Sequence, residues 1–223
     1  LTARAGALAA HRVPARVVAG FVDVYSDVGL VEIELEESTN DTDLKNALTD
    51  PAGSVRAAVR ASLAYDPRAT TVQVARTGGV TSALVVPHGG IISGGSFWVD
   101  LAGTSRGAIK LEPASMVANL GMTESRAAAM HIIDVALREA GLWAQQGPAY
   151  MANKRAPFAT RTLDLEALVP VVTGRVPLMV EANRASDIAA LLALTEPTGP
   201  LSKVRLVIVG AAEGWLLAKE LAA

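Results

Sequence analysis

The chain of 223 residues is 51% hydrophobic, long and apolar enough for a substantial core in one large α/β domain or two small ones, which argues against intrinsic disorder. Its 20 basic and 22 acidic residues are dispersed and sum to a net charge of -2, so no electrostatic footprint for nucleic acid or anionic lipid is present and a small neutral or polar partner fits better. The absence of cysteine excludes disulfides, thiolate metal sites and a thiol nucleophile.

The opening, LTARAGALAAHRVPARVV, is small, apolar and basic but lacks the uninterrupted apolar centre of a signal peptide. Periplasm and cytoplasm both stay open as compartments. Residues 1–19 read as a lead-in, and a strand FVDVY begins at Phe21, followed by an extended VEIEL from Val31. The polar stretch that follows, with Asp41, Asp43 and Asp50, reads as a long solvated loop. Ser54 is placed to cap a helix through VRAAVRASL, which Asp66-Pro67 stops. TSALVV from Thr81 is a buried strand on composition, ending in the glycine-rich loop PHGGIISGG and leading to the strand-like FWVDL and GAIKL.

The longest helix is expected from about Thr123, with Met130, Ile133, Leu137 and Leu142 on one stripe and Gly147-Pro148 as its end. A short helix LDLEALVPVV follows. The last third reads as two βα units: strand VPLMVEA from Val176 with Ser186 capping DIAALLALTE, then strand VRLVIVG from Val204 with helix AEGWLLAKELAA. Short β-rich runs alternating with helical patterns predict a parallel sheet with crossover helices. Every apolar run is far shorter than the roughly 20 residues of a membrane-spanning helix, so no span is expected.

Several side chains stand where chemistry would be placed. Tyr25 and Asp27 are two apart on a strand and so share a face; Asp27 could bind a hard cation or orient a polar substrate, or could cap a loop. Glu181, at the end of a buried strand, could act as ligand, general base or partner to a cation, with a salt bridge to Arg184 or a loop arginine as the plainer and slightly favoured account. Glu213, in a first helical turn, is a structural carboxylate favoured by the helix dipole. His88 reads as an exposed loop histidine with a lesser claim as a substrate contact, and Lys110 as a snorkelling strand-end lysine or a charged anchor. The loop PHGGIISGG could cradle phosphate through backbone amides, but it lacks the G-x-G-x-x-G and G-K-[ST] spacings and leads into strands. His11, His88 and His131 form no metal-binding spacing, and no G-x-S-x-G elbow occurs.

Four runs in order resemble the metal-dependent amidohydrolase superfamily, in particular its imidazolonepropionase-like hydrolases: GFVDVYSDVGL, GGVTSALVVPHGGIISGG with the AIKL that follows, PLMVEANRASDI, and VRLVIVGAAEGWLLAKELAA. The resemblance implies a partial (β/α)8 TIM-type barrel over residues 20–223, with a remnant of a small β-sandwich in residues 1–19. It also implies a divalent metal such as zinc at the C-terminal ends of the strands. At the positions where the family carries metal histidines this chain has Tyr25, Asp27, Glu181 and Asn183, and Gly210 stands where relatives may carry another. By resemblance, Asp27 and Glu181 are the catalytic candidates, and Tyr25, His88, Lys110, Asn183 and Arg184 the substrate-binding ones.

Three functions follow as expectations. One is metal-assisted hydrolysis of a carbon-nitrogen bond; a second is a catalytically silent relative that binds a small molecule or scaffolds an active paralogue; a third and weaker one is phosphate binding by PHGGIISGG. A complete barrel takes about 250 residues, so an incomplete one leaves strand edges that call for a missing segment, a second copy or a paralogous partner chain.

Overall fold

The computed structural model describes residues 18–42, 54–122, 125–151 and 157–222. Among the described residues, eight strands form two mixed four-stranded sheets. The first has the order β1 (Phe21–Ser26), β2 (Val80–Val85), β4 (Phe97–Asp100), β5 (Ile109–Leu111); the second has the order β3 (Ile92–Gly95), β6 (Met116–Asn119), β7 (Leu178–Ala182), β8 (Leu206–Gly210). The helices are α1 (Thr70–Thr77), α2 (Arg126–Met151), α3 (Thr162–Val172), α4 (Ala185–Leu194) and α5 (Ala218–Leu221). The expected parallel sheet is present in part: β1 runs parallel to β2, and β6, β7 and β8 are mutually parallel, while β3, β4 and β5 pair antiparallel. None of the helices is long and apolar enough to cross a membrane among the described residues.

Alternation along the strands sorts the core into three layers. Met116 and Ala118 of β6 and Leu178, Val180 and Ala182 of β7 face a large cluster completed by Ala129, Ile133, Ala136, Leu137 and Ala140 of α2, Leu165 and Leu168 of α3, and Ile188 and Leu191 of α4. Ala83 and Val85 of β2 and Phe97 and Val99 of β4 face a second cluster with Tyr65 and Val72. The intervening residues Leu84, Trp98, Val117, Met179 and Val209 turn to the opposite faces and meet in a third, small cluster together with Val86 and Tyr25. The two sheets thus share one face, and the helices cover the other face of the second sheet.

Several elements depart from the sequence reading. VEIEL is not a strand: Ile33 and Leu35 are 57% and 97% exposed, and the chain bends back where the Thr39 hydroxyl bonds both the N–H and the carbonyl of Ile33. Residues 54–63 do not form the helix expected from Ser54. Val55 and Arg60 instead make parallel bridges to Ile92 and Gly95 of β3, and the Ala58 N–H donates to the buried Asp164 carboxylate at 2.8 Å, so these backbone groups are used against the sheet and α3. Gly94 has φ +120°, and a Cβ there would stand 2.7 Å from the Val59 carbonyl, so glycine is what admits this close approach.

Helix α1 was not expected, because TTVQVART is rich in β-branched residues; burial of Val72, with Ala69 and Ala75 on the same side, overrides that propensity. The run IISGG is largely strand β3 rather than loop. Gly147-Pro148 does not end α2, which continues to Met151; a proline removes one N–H from the ladder, and the backbone here holds helical about one further turn. Its apolar stripe is drawn by Ile133 and Leu137, as expected, with Ala129, Ala136 and Ala140, whereas Leu142 is 42% exposed. Ser186 lies inside α4 and does not cap it; the Glu213 carboxylate accepts from the Ala185 N–H at 2.9 Å and does so instead. Asp43, Asp50, His11 and residues 1–17 of the lead-in lie outside the described residues.

Candidate functional site

The shared face between the sheets carries a cluster of polar groups toward the C-terminal ends of β1, β6 and β7. Two residues beyond Val117 on β6 is Asn119, two beyond Met179 on β7 is Glu181, and the register pairs Asn119 with Glu181 side by side. Tyr25, one residue from the end of β1, reaches the same place from the other sheet. Its hydroxyl donates to Glu181 Oε2 at 3.3 Å, and Asn119 Nδ2 donates to the same oxygen at 2.9 Å. Asn119 is held in that orientation because its Oδ1 accepts the Gly121 N–H at 2.6 Å, which fixes the amide group as donor toward the carboxylate.

Glu181 is half-buried, and its second oxygen, Oε1, receives no hydrogen bond among the described residues. Burial, reinforced by the charge of Glu181 and the hydrogen bond to it, pushes the Tyr25 phenol up to about 12. At neutral pH Tyr25 is therefore a protonated donor. His88, just past β2, packs edge-on against Tyr25 with ring centroids 5.8 Å apart and planes at 64°, while its backbone N–H is held by the Thr42 carbonyl at 3.1 Å.

A cleft of about 120 Å³ opens beside this cluster, lined by Asn119, Glu181, Asn183, Arg184, Arg126 and Asp187 among others. Arg126 and Asp187 approach each other across it at 3.6 Å. The Asn183 side chain stays on the surface, its Oδ1 near the Ala212 N–H at 3.4 Å. Gly210 has φ +84°, and a Cβ there would fall 2.3 Å from Asn183 Oδ1, so any side chain at 210 disturbs this loop. A larger cavity, about 490 Å³, lies at the other end of β6, lined by Arg60, Glu112, Met116 and Leu163 among others; its charged pair, Arg60 and Glu112, is already closed at 2.7 Å. The smaller cleft is the better candidate despite its size, because it adjoins the cluster of Tyr25, Asn119 and Glu181.

The structure brings together Tyr25, Glu181 and His88, with Asn183 and Arg184 at the rim of the adjoining cleft. Asp27 and Lys110 stand apart. Asp27 lies beyond the end of β1 and is exposed, and its carbonyl accepts from Leu30 and Val31. Lys110 is exposed on β5, where its ammonium donates to the Gly107 carbonyl at 3.0 Å and lies 3.8 Å from Asp100. The plainer reading of Glu181 as a salt bridge to Arg184 is not what forms, since its described partners are Tyr25 and Asn119. Asn119 was missed; the short apolar run SMVAN, ending in a polar residue before Gly121, is the signal that could have revealed it. In PHGGIISGG, the amides of His88 and Ile91 are taken by carbonyls of Thr42 and Ser54, and the run leads into a strand, so it presents no helix N-terminus to a phosphate.

The donor set does not fit a divalent metal of the kind the resemblance implies. The phenol is protonated and gives its hydrogen to the carboxylate, Asn119 gives a second, and among the described residues no group of three or more His, Asp or Glu side chains could hold an ion.

No family model matches this sequence, and no curated protein matches it. Among solved structures, the chain is similar to an amidohydrolase from Thermotoga maritima MSB8, with a TM-score of 0.75 and 24% sequence identity. The alignment covers 92% of this chain and 54% of that one, so this chain spans about half the length of that protein. The fold is amidohydrolase-like.

Proposed function

We propose that the chain is a sector of an amidohydrolase-type barrel whose metal-ligand positions have been given over to a hydrogen-bonding site, and that it binds a small polar molecule at Glu181 without a metal. In this reading residues 20–223 are the incomplete barrel, the two sheets are its arcs with the shared face as the interior, and residues 1–19 are a lead-in or sandwich remnant. Support comes from the order of the four motif runs, from the sorting of Leu84, Val117, Met179 and Val209 onto one inner face, and from the likeness to the Thermotoga protein.

The observation that carries the binding reading is the asymmetry of the Glu181 carboxylate. Two donors occupy Oε2 and leave Oε1 to a ligand. A charged acceptor at the end of a buried strand, positioned by a tyrosine and an asparagine that are themselves anchored, is preorganised for a ligand N–H or O–H. Tyr25 and Asn119 hold the carboxylate; His88 walls the ring of Tyr25.

The fold likeness favours a second reading, hydrolysis of a carbon-nitrogen bond. Metal analysis of the purified protein after dialysis separates the two. Binding of a polar ligand that is lost in Glu181→Gln, by protein without stoichiometric metal, supports the binding site; roughly one tightly held divalent ion per chain, released in Glu181→Gln, overturns it in favour of the hydrolase.

A further inference from the structure

We propose that the ligand of the Glu181 cleft is a single free α-amino acid, bound as its zwitterion, with its ammonium on Glu181 and its carboxylate on Arg184. This inference rests on the binding reading above and names the ligand class.

The argument begins with what is left over in the cleft. Four charged side chains line it. Arg126 and Asp187 approach each other at 3.6 Å, while Glu181 keeps Oε1 open and the Arg184 guanidinium makes no hydrogen bond or ion pair among the described residues. One unmatched anion and one unmatched cation therefore face the same small space. Neither answers the other, although only two residues separate them in sequence. Glu181 is tied inward by Tyr25 and Asn119, while Arg184 sits at the N-terminal boundary of α4 with extended backbone, φ -90° and ψ 140°.

A ligand of either sign alone would satisfy one of these groups and leave the other. A zwitterion satisfies both and brings no net charge. Arginine presents a planar fork that matches a carboxylate in two parallel hydrogen bonds, and a carboxylate oxygen accepts an ammonium hydrogen. The N-terminus of α4 does not compete as the anion site, because the Ala185 N–H is already taken by Glu213. The size agrees. At about 120 Å³ the cleft is well below the roughly 300–1,000 Å³ of pockets that enclose drug-sized ligands, which points to one amino acid rather than a peptide.

The test uses the purified chain and calorimetric titration with each proteinogenic L-amino acid, then, for the tightest, with its decarboxylated amine and its deaminated acid. The zwitterion is expected to bind at least about tenfold more tightly than either counterpart, as one charge-assisted hydrogen bond at each end requires. Arg184→Gln, at an exposed position, should leave the thermal melt unchanged and erase the preference over the amine. Glu181→Gln should erase the preference over the acid. An amine that binds as well as the amino acid and is unaffected by Arg184→Gln, yet is lost in Glu181→Gln, overturns the zwitterion and leaves the Glu181 site standing. Absence of binding by every member of the panel overturns both.

Discussion

Replacing Tyr25 by phenylalanine tests the core of the site, because the two side chains differ only in the hydroxyl that donates to Glu181. Below pH 10 the phenol is protonated in both folded and unfolded chains, and its contribution to stability is fully present. Folding raises its pKa from 10.0 to about 12, through burial first and the Glu181 charge second, so the folded state disfavours tyrosinate. As pH climbs from 10 through 12, the unfolded chain loses the proton before the folded one does, and stability falls. Two pKa units correspond to about 2.7 kcal/mol. Tyr25 is only half-buried, and solvent screening reduces this to about 1–2 kcal/mol. The assay is urea denaturation of wild type and Tyr25→Phe at intervals from pH 7 to 12, with tyrosinate absorbance followed in parallel. The stability difference should be constant up to about pH 10, after which wild type should lose about 1–2 kcal/mol relative to the variant. Groups common to both proteins contribute equally to the two curves and cancel in the difference. Curves that stay parallel to pH 12 would refute the raised pKa of Tyr25 and the burial beside Glu181 from which it is argued.

Asn119→Leu removes both the donor to Glu181 and the acceptor of the Gly121 N–H; urea melts should show a loss of about 2–3 kcal/mol, and ligand binding at Glu181 should weaken with it. Asp164, in the first turn of α3, is buried and its pKa is raised by that burial, so its ionised form is the less favoured one in the fold. Wild type should therefore gain stability relative to Asp164→Asn as pH falls through the raised pKa toward the ordinary value of 3.8, and a denaturation series between pH 7 and 4 checks the sign. Gly210→Ala should cost about 1–3 kcal/mol in the same assay, because the added Cβ meets Asn183 Oδ1 and the backbone there is left-handed.

The later strands were legible because they are fully apolar over four or five residues and bounded by turn residues. LMVEA and LVIVG sit within the expected runs, VTSALV is the expected TSALVV shifted by one residue, and the opening FVDVY extends by Ser26. Local pattern failed where tertiary partners decide. VRAAVRASL has helical spacing, yet its backbone is drawn against β3 and Asp164, neither of which can be seen from neighbouring residues. VEIEL has strand composition but no strand to pair with, and a β-propensity without a partner yields a bend. Of the antiparallel strands, β4 and β5 fall within the strand-like runs FWVDL and GAIKL, whereas β3 was hidden by the glycines of IISGG, which read as loop although Gly94 and Gly95 pair with β6.

Tyr25 and Glu181, both singled out in the sequence, lie in hydrogen-bond contact because strand ends on a common face converge whatever their chemistry. The carboxylate's partners depended on lateral register: Asn119 lies 62 residues from Glu181, and only the pairing of β6 with β7 sets them side by side. Asp27 failed to join for a related reason. The alternation that would put it beside Tyr25 holds only while the strand lasts, and β1 ends at Ser26. Gly210 makes the final step. A histidine at that position would need a left-handed backbone and the space now filled by Asn183, so placing one there means rebuilding the loop that carries Asn183 and Arg184. A side chain at 210 and the present Asn183 side chain are thus alternatives for the same volume.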